Sequence, residues 1–115
     1  MPDPRATADR YVEVATADGK EALAELFAPE GVFMAPDGNT YRGRRGIAAF
    51  YRRHLADVVP EFHIQNAVTE GRSCWIELAN GSLEDPVYLA TNHFTVDGEG
   101  LIERLAVFLR PRPTG

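Results

Sequence analysis

The chain has 115 residues, 44% of them hydrophobic and 25% charged, and a formal net charge of −5. That is the size of one domain with an apolar core of its own, and the composition is that of a globular chain rather than a disordered one. The arginines are scattered among acids, so no basic stripe is offered to a phosphate backbone, and no apolar run approaches the ~18 residues of a membrane span.

Met1-Pro2-Asp3-Pro4 has neither the basic nor the apolar region of a signal peptide. The single cysteine, Cys74, cannot form an internal disulfide. Both features lead us to expect a cytoplasmic protein.

Asp3-Pro4 reads as a helix start, an N-cap followed by proline at the first helical position, and Ala8, Tyr11, Val12 and Ala15 then keep helical spacing to about Thr16. Asp18 and Glu21 form a capping-box-like pair, after which Leu23, Leu26 and Phe27 predict a second short helix ended by Ala28-Pro29. Gly31–Ala35 is a strand candidate closed by the turn residues Pro36-Asp37-Gly38-Asn39. From Gly43 to Leu55 the apolar face Ile47, Phe50, Tyr51, His54 and Leu55 predicts a third helix, with Arg44, Arg45, Arg52 and Arg53 left for solvent.

Beyond Val59-Pro60 the period changes to two. Phe62, Ile64, Asn66 and Val68 alternate with His63, Gln65, Ala67 and Thr69, which marks a strand. Glu70-Gly71 turns into Arg72–Ala79, Asn80-Gly81 is a hairpin signal leading to Val87–Val96, and Asp97–Gly100 turns into Leu101–Leu109. The expected fold is α+β, three N-terminal helices packed on a curved, mainly antiparallel β-sheet, with residues 1–115 as one domain and 110–115 as a flexible tail. The last strands are apolar on both faces: Cys74, Ile76 and Leu78 against Trp75 and Ala79, and Ile102, Ala106 and Phe108 against Leu105, Val107 and Leu109. One face needs the helices; for the other a second subunit, hence a homodimer through the outer sheet face, is expected.

The three histidines lack metal-binding spacing, and there is no phosphate-binding glycine loop, no G-x-S-x-G and no CxxC, so neither a metal nor another cofactor is expected. Cys74 reads as a small buried apolar side chain.

The order of elements resembles the nuclear-transport-factor-2-like (NTF2-like) superfamily, a cone-shaped fold that includes ketosteroid isomerases, SnoaL-type polyketide cyclases, limonene epoxide hydrolases and non-catalytic scaffolds. The resemblance to ketosteroid isomerase runs from Arg10-Tyr11-Val12-Glu13 through Glu21-Ala22, Leu26-Phe27-Ala28 and Gly43-Arg44 to Ile47–Arg52, and resumes in the last two strands. It implies that Tyr11 donates a hydrogen bond to a substrate oxyanion and that Tyr51 supports it. A further tyrosine of that network falls at Phe27, which has no hydroxyl. Asn92 falls where the isomerases hold a protonated carboxylic acid, and an amide donates a comparable hydrogen bond. The isomerase's general base, however, falls at Ala35, which cannot move a proton.

Two carboxylates are candidates to replace it. Asp37 is either a relocated base or part of an ordinary turn. Glu77 faces the pocket if the Asn80-Gly81 hairpin is matched to the family, together with Trp75; a slip of one residue turns it to the outer face. Tyr88, Ala90, Asn92, Phe94 and Val96 share one face of their strand, which the resemblance makes the pocket side. His93 then points outward to surface or interface, and His54 sits at the pocket mouth or simply at a helix C-terminus.

The expectation is therefore an isomerase or cyclase for an apolar oxygenated small molecule (steroid, terpenoid or polyketide), its pocket lined by Phe27, Phe33, Phe50, Trp75, Tyr88, Phe94 and Val107. Tyr11, Tyr51 and Asn92 form its oxyanion site, and Glu77 or Asp37 its base. The alternative is a non-catalytic ligand-binding or dimerisation protein on the same cone.

Overall fold

Helix α1 (Pro4–Ala17) begins where Asp3 caps it: the backbone N–H of Arg5 donates to Asp3 Oδ1 at 3.0 Å, and Pro4 occupies the first turn, where no N–H is needed. This computed structural model describes residues 3–17, 20–54 and 61–110, so the expected Asp18–Glu21 cap, Leu55 of the third helix and the tail beyond Arg110 lie outside the described residues or side chains. Helix α2 (Lys20–Ala24) is followed by strand β1 (Phe27–Met34), the short strand β2 (Thr40–Arg42) and helix α3 (Gly43–His54). The rest is sheet: β3 (Phe62–Glu70), β4 (Ser73–Gly81), β5 (Pro86–Val96) and β6 (Ile102–Arg110).

The six strands lie in the order β2-β1-β6-β5-β4-β3, antiparallel throughout except for β1 beside β6, which is parallel. The expected α+β fold, helices on a curved and mainly antiparallel sheet, is what is observed. The core sits between the helices and the inner face, around the fully buried Leu23, Phe27, Ile47, Tyr51, Phe94 and Leu105. Two polar bonds pin helices to the sheet: Thr7 Oγ1 donates to Gly100 O at 2.9 Å, and Arg44 Nε to Phe27 O at 2.9 Å.

Four local expectations need correction, each for a long-range reason. Phe27 does not end a second helix but opens β1. The helix tightens into i→i+3 bonds at Glu25 and Leu26, and the N–H of Ile102 takes the carbonyl of Leu26 at 2.9 Å, drawing the segment onto β6. In β3 the register shifts between Ile64 and Asn66, so Ala67 joins Phe62 and Ile64 against the core while Asn66 and Val68 are exposed.

Asn80 and Gly81 are not the hairpin turn either, because both belong to β4 and the connection is 82–85. They are held there by one acceptor: the carbonyl of Glu61 receives Asn80 Nδ2 at 3.0 Å and the N–H of Gly81 at 2.8 Å. Gly81 has φ +93° at the break in pairing, where an L-residue is strained. Finally, Arg110 is not tail but the end of β6, bonded through Nη1 to Glu77 Oε2 at 3.0 Å. The strand β2 had no sequence signal beyond its turn; Thr40, Tyr41 and Arg42 pair with Met34, Phe33 and Val32.

Candidate active site

A cavity of about 300 Å³ opens between the helices and the inner face of the sheet. Its walls are largely apolar: Ala15 of α1, Leu23 of α2, Phe33 of β1, Phe50 of α3, Phe62 of β3, Leu78 of β4, Ala90 of β5, and Val107 and Leu109 of β6. The volume is at the lower end of the ~300–1,000 Å³ usual for small-molecule sites. The polar groups in this wall are few: Tyr11, Tyr51, Tyr88 and Asn92, with Asp37 and His54.

Helical spacing delivers the first pair. Tyr11 is on the inward stripe of α1 with Ala8, and Tyr51 on that of α3 with Ile47 and Phe50, all of them buried. Their hydroxyls meet at 2.6 Å, a short O–H···O bond. Packing holds the rings: Phe94 meets Tyr11 edge-on at 5.3 Å, and Phe33 lies 5.5 Å from Tyr51. Burial raises the pKa of both phenols; at Tyr11 the bond from Tyr51 opposes the rise, while at Tyr51 the neighbouring Tyr11 adds to it. Either hydroxyl can donate in this pair; with Tyr51 as the donor, the Tyr11 proton is left for a third oxygen.

Asn92 enters from β5, opposite Ile76 of β4 and Val107 of β6. It is 3% exposed, and its side-chain Oδ1 has no partner among the described residues, Tyr11 included. An unpaired buried amide oxygen costs ~1–3 kcal/mol, which a ligand hydroxyl donating to it can offset, while Nδ2 of the same amide is the donor available to a ligand oxygen. Tyr88, four residues before it, lies on the same inward face, and burial alone pushes its phenol up to about 12.

Among the described residues, Asp37 is the one carboxylate in the cavity wall. It also builds the turn, as one of the two sequence readings has it: Oδ1 accepts the N–H of Asn39 at 2.9 Å and Oδ2 accepts Asn39 Nδ2 at 3.0 Å. Ala35, at the position of the isomerase base, is buried just before it and donates its N–H to Asn39 O at 2.9 Å. His54 both ends α3 and lines the cavity, its ring 4.5 Å from that of Phe50.

Glu77 and Trp75 are corrections. On β4 the inward residues are Cys74, Ile76 and Leu78, all buried, so the residues between them face outward. Glu77 accepts from Arg110 Nη1 at 3.0 Å and Asn66 Nδ2 at 3.3 Å, away from the cavity. Trp75 is 43% exposed and stacks on His93, which faces outward as expected, with ring centroids 3.7 Å apart and planes 4° from parallel. Phe27 and Phe94 are corrections of a milder kind: both are wholly buried behind the wall, bracing Phe33 and Tyr11 rather than touching the cavity. Ala15, Leu23, Pro36, Phe62, Leu78 and Leu109 are wall residues that sequence reasoning missed, while Ala90 lies on the pocket side as expected. Of these, Leu78 had a signal, its alternation with Cys74 and Ile76.

Among the described residues no group of three or more His, Cys, Asp or Glu side chains could hold a metal, and no helix is long and apolar enough to cross a membrane. Burial raises the pKa of the Cys74 thiol, which suits its place in the core.

Comparison with known proteins bears on this geometry. A steroid delta-isomerase from Pseudomonas aeruginosa is similar in fold, with a TM-score of 0.74 at 22% identity over 94% of this chain and 80% of that one. So is a protein with a ketosteroid isomerase-like fold from Catenulispora acidiphila DSM 44928, solved in complex with trimethylamine, at 0.75 and 22% over 89% and 83%. An uncharacterised protein with a cystatin-like fold from Silicibacter pomeroyi DSS-3 is 30% identical, with a TM-score of 0.72 over 91% of this chain and 74% of that one. A search of curated proteins found no match. The family model of the SnoaL-like domain matches residues 8–105, from the middle of α1 into β6. The chain thus belongs to the SnoaL-like domain family, and its fold is the NTF2-like fold found in ketosteroid isomerases.

Proposed function

We propose that this chain is an isomerase or cyclase for a small apolar ligand bearing a carbonyl, with Tyr11 and Asn92 as donors to the carbonyl oxygen, Tyr51 reinforcing Tyr11, and Asp37 moving the proton. The observation that carries this reading is the 2.6 Å Tyr11–Tyr51 hydroxyl pair in the same apolar cavity as Asn92, whose Nδ2 is the donor end of its amide. Donors already oriented and shielded from water need no reorganisation as an enolate forms, and one such donor is commonly worth ~2.7–4 kcal/mol. Asp37 is the carboxylate that the described residues bring to the cavity, so in this reading it replaces Glu77 as the base; Tyr51 Oη and Tyr11 Oη then lie in series behind the developing charge.

The test is conversion of a β,γ-unsaturated ketosteroid to its conjugated isomer, followed by absorbance, with wild type, Tyr11→Phe, Asp37→Asn and Glu77→Gln. Turnover lost in the first two variants and kept in the third supports the assignment. Phenol binding that depends on Tyr11, with no turnover of ketosteroids, terpenoids or polyketides, supports instead the ligand-binding protein. The engagement of both Asp37 oxygens by Asn39 is the observation in favour of that second reading.

The working unit in this reading is a homodimer formed through the outer face of the sheet. There Val68, Trp75, His93, Ala106 and Met34 form one cross-strand row from β3 to β1, with Phe108 beside it. Val68, Trp75, Met34 and Phe108 are all exposed. A two-fold axis along β5 would lay β6 of one copy over β4 of the other and so pack this apolar row on its own copy, which is why a second copy is the occupant it suits.

A further inference from the structure

Strand β5 presents Tyr88, Ala90 and Asn92 in succession to the cavity. Side chains on one face recur every two residues, so Tyr88 and Asn92 stand ~13 Å apart along the strand. Between them Ala90 contributes a single methyl group and pairs with Leu78 on one side and Leu109 on the other, an apolar floor. No hydrogen bond joins the Tyr88 hydroxyl to any described residue, and Asn92 Oδ1 has no partner either. Tyr11 and Tyr51 share one hydrogen bond, which uses one of their two hydroxyl protons. The wall therefore offers unpaired polar groups at both ends of an apolar span, and a half-buried phenol favours a partner.

We propose that Tyr88 is a specificity-determining residue that hydrogen-bonds a second oxygen of the ligand, so the preferred ligand carries oxygen functions at both ends of a rigid apolar skeleton. This rests on the reading above, in which Tyr11 and Asn92 hold the first oxygen. Tyr88 touches the far end of the ligand and takes no part in moving the proton. It selects two-ended ligands over skeletons of the same shape that lack the second oxygen. The span between Tyr88 and Asn92 sets the distance at which that oxygen is recognised.

The experiment measures binding of para-phenylphenol, which has one hydroxyl, and para,para′-biphenol, which has one at each end, to wild type, Tyr88→Phe and Tyr11→Phe. A neutral hydrogen bond is worth about two- to tenfold in affinity, so Tyr88→Phe is expected to weaken biphenol by that factor and leave phenylphenol unchanged. Tyr11→Phe is expected to weaken both alike. If Tyr88→Phe weakens both equally, or neither, while Tyr11→Phe still weakens both, the role of Tyr88 is overturned and the oxygen site at Tyr11 stands. If neither phenol binds wild type, both readings are overturned. Thermal unfolding of Tyr88→Phe, which keeps the ring and removes only the hydroxyl, shows whether the variant folds as wild type does.

Discussion

The hydroxyls of Tyr11 and Tyr51 lie 2.6 Å apart although they come from different helices, α1 and α3, and both rings are buried. In such a chain Tyr51 polarises Tyr11 but reaches a ligand only through it. Tyr11→Phe is accordingly expected to lower kcat by ~10²–10³, the cost of one oxyanion donor. Tyr51→Phe should cost about tenfold, and the double variant no more than Tyr11→Phe alone, a coupling that a double-mutant cycle measures. Equal and additive losses would show instead that the two phenols act independently.

Alkaline stability follows from the same burial. Tyr11, Tyr51 and Tyr88 all hold their protons above the ordinary tyrosine value of 10.0, because burial disfavours the phenolate. The unfolded chain loses these protons first. The stability they contribute is therefore complete below pH 10 and falls as pH climbs from there through the folded values. Each tyrosine contributes at most ~1.4 kcal/mol per pH unit to that slope. Urea titrations between neutral pH and the alkaline limit should show the fall, and Tyr88→Phe should make it shallower.

Gly31 lies where β1 crosses close to β6. A Cβ there would stand 2.8 Å from Ile102 O, 3.1 Å from Ala28 O and 3.2 Å from Phe27 Cβ. Two of these are backbone atoms and the third belongs to a core residue, so the clash cannot be relieved by rotating a side chain. Gly31→Ala is expected to cost ~1–3 kcal/mol, the range for overpacking, read as a lowered urea midpoint. A neutral result would mean that the two strands can part without loss.

On the outer face, Trp75 is exposed and stacked on His93, outside the core. Trp75→Glu is expected to convert a dimer to a folded monomer in analytical ultracentrifugation while unfolding at nearly the wild-type temperature. A wild type that sediments as a monomer, or a variant that still pairs, rules out this face as the contact.

Much of the fold could be read from periodicity alone. Ile47, Phe50 and Tyr51 mark α3 because only one face of it is apolar, and Asn92 could be placed on the inner face because Ala90, Phe94 and Val96 alternate with the more polar Thr91, His93 and Thr95. Strand β4 was different. With Cys74, Ile76 and Leu78 on one side and Trp75 and Ala79 on the other, both faces are apolar and a period of two cannot say which is inside. The side was then inferred from Asn80-Gly81, and those residues are held in the strand by the distant carbonyl of Glu61. Phe27 was misread for a similar reason, since what makes it a strand residue is β6, far along the chain. The Tyr11–Tyr51 contact could be anticipated only by resemblance, as spacing within each helix carries no information about the other.

The parallel pairing of β1 with β6 also bears on how the molecule comes to exist. It joins Phe27 to Ile102, the longest loop closure in the sheet, and β6 separates β1 from the β3–β4–β5 meander. Contacts so distant in sequence are slow to form, so the two halves of the sheet remain unjoined until the last strand arrives. Val107 and Leu109 of that strand are also cavity wall. A nascent or clipped chain ending before β6 therefore has no closed binding site, and ligand affinity can serve as a reporter of the completed fold.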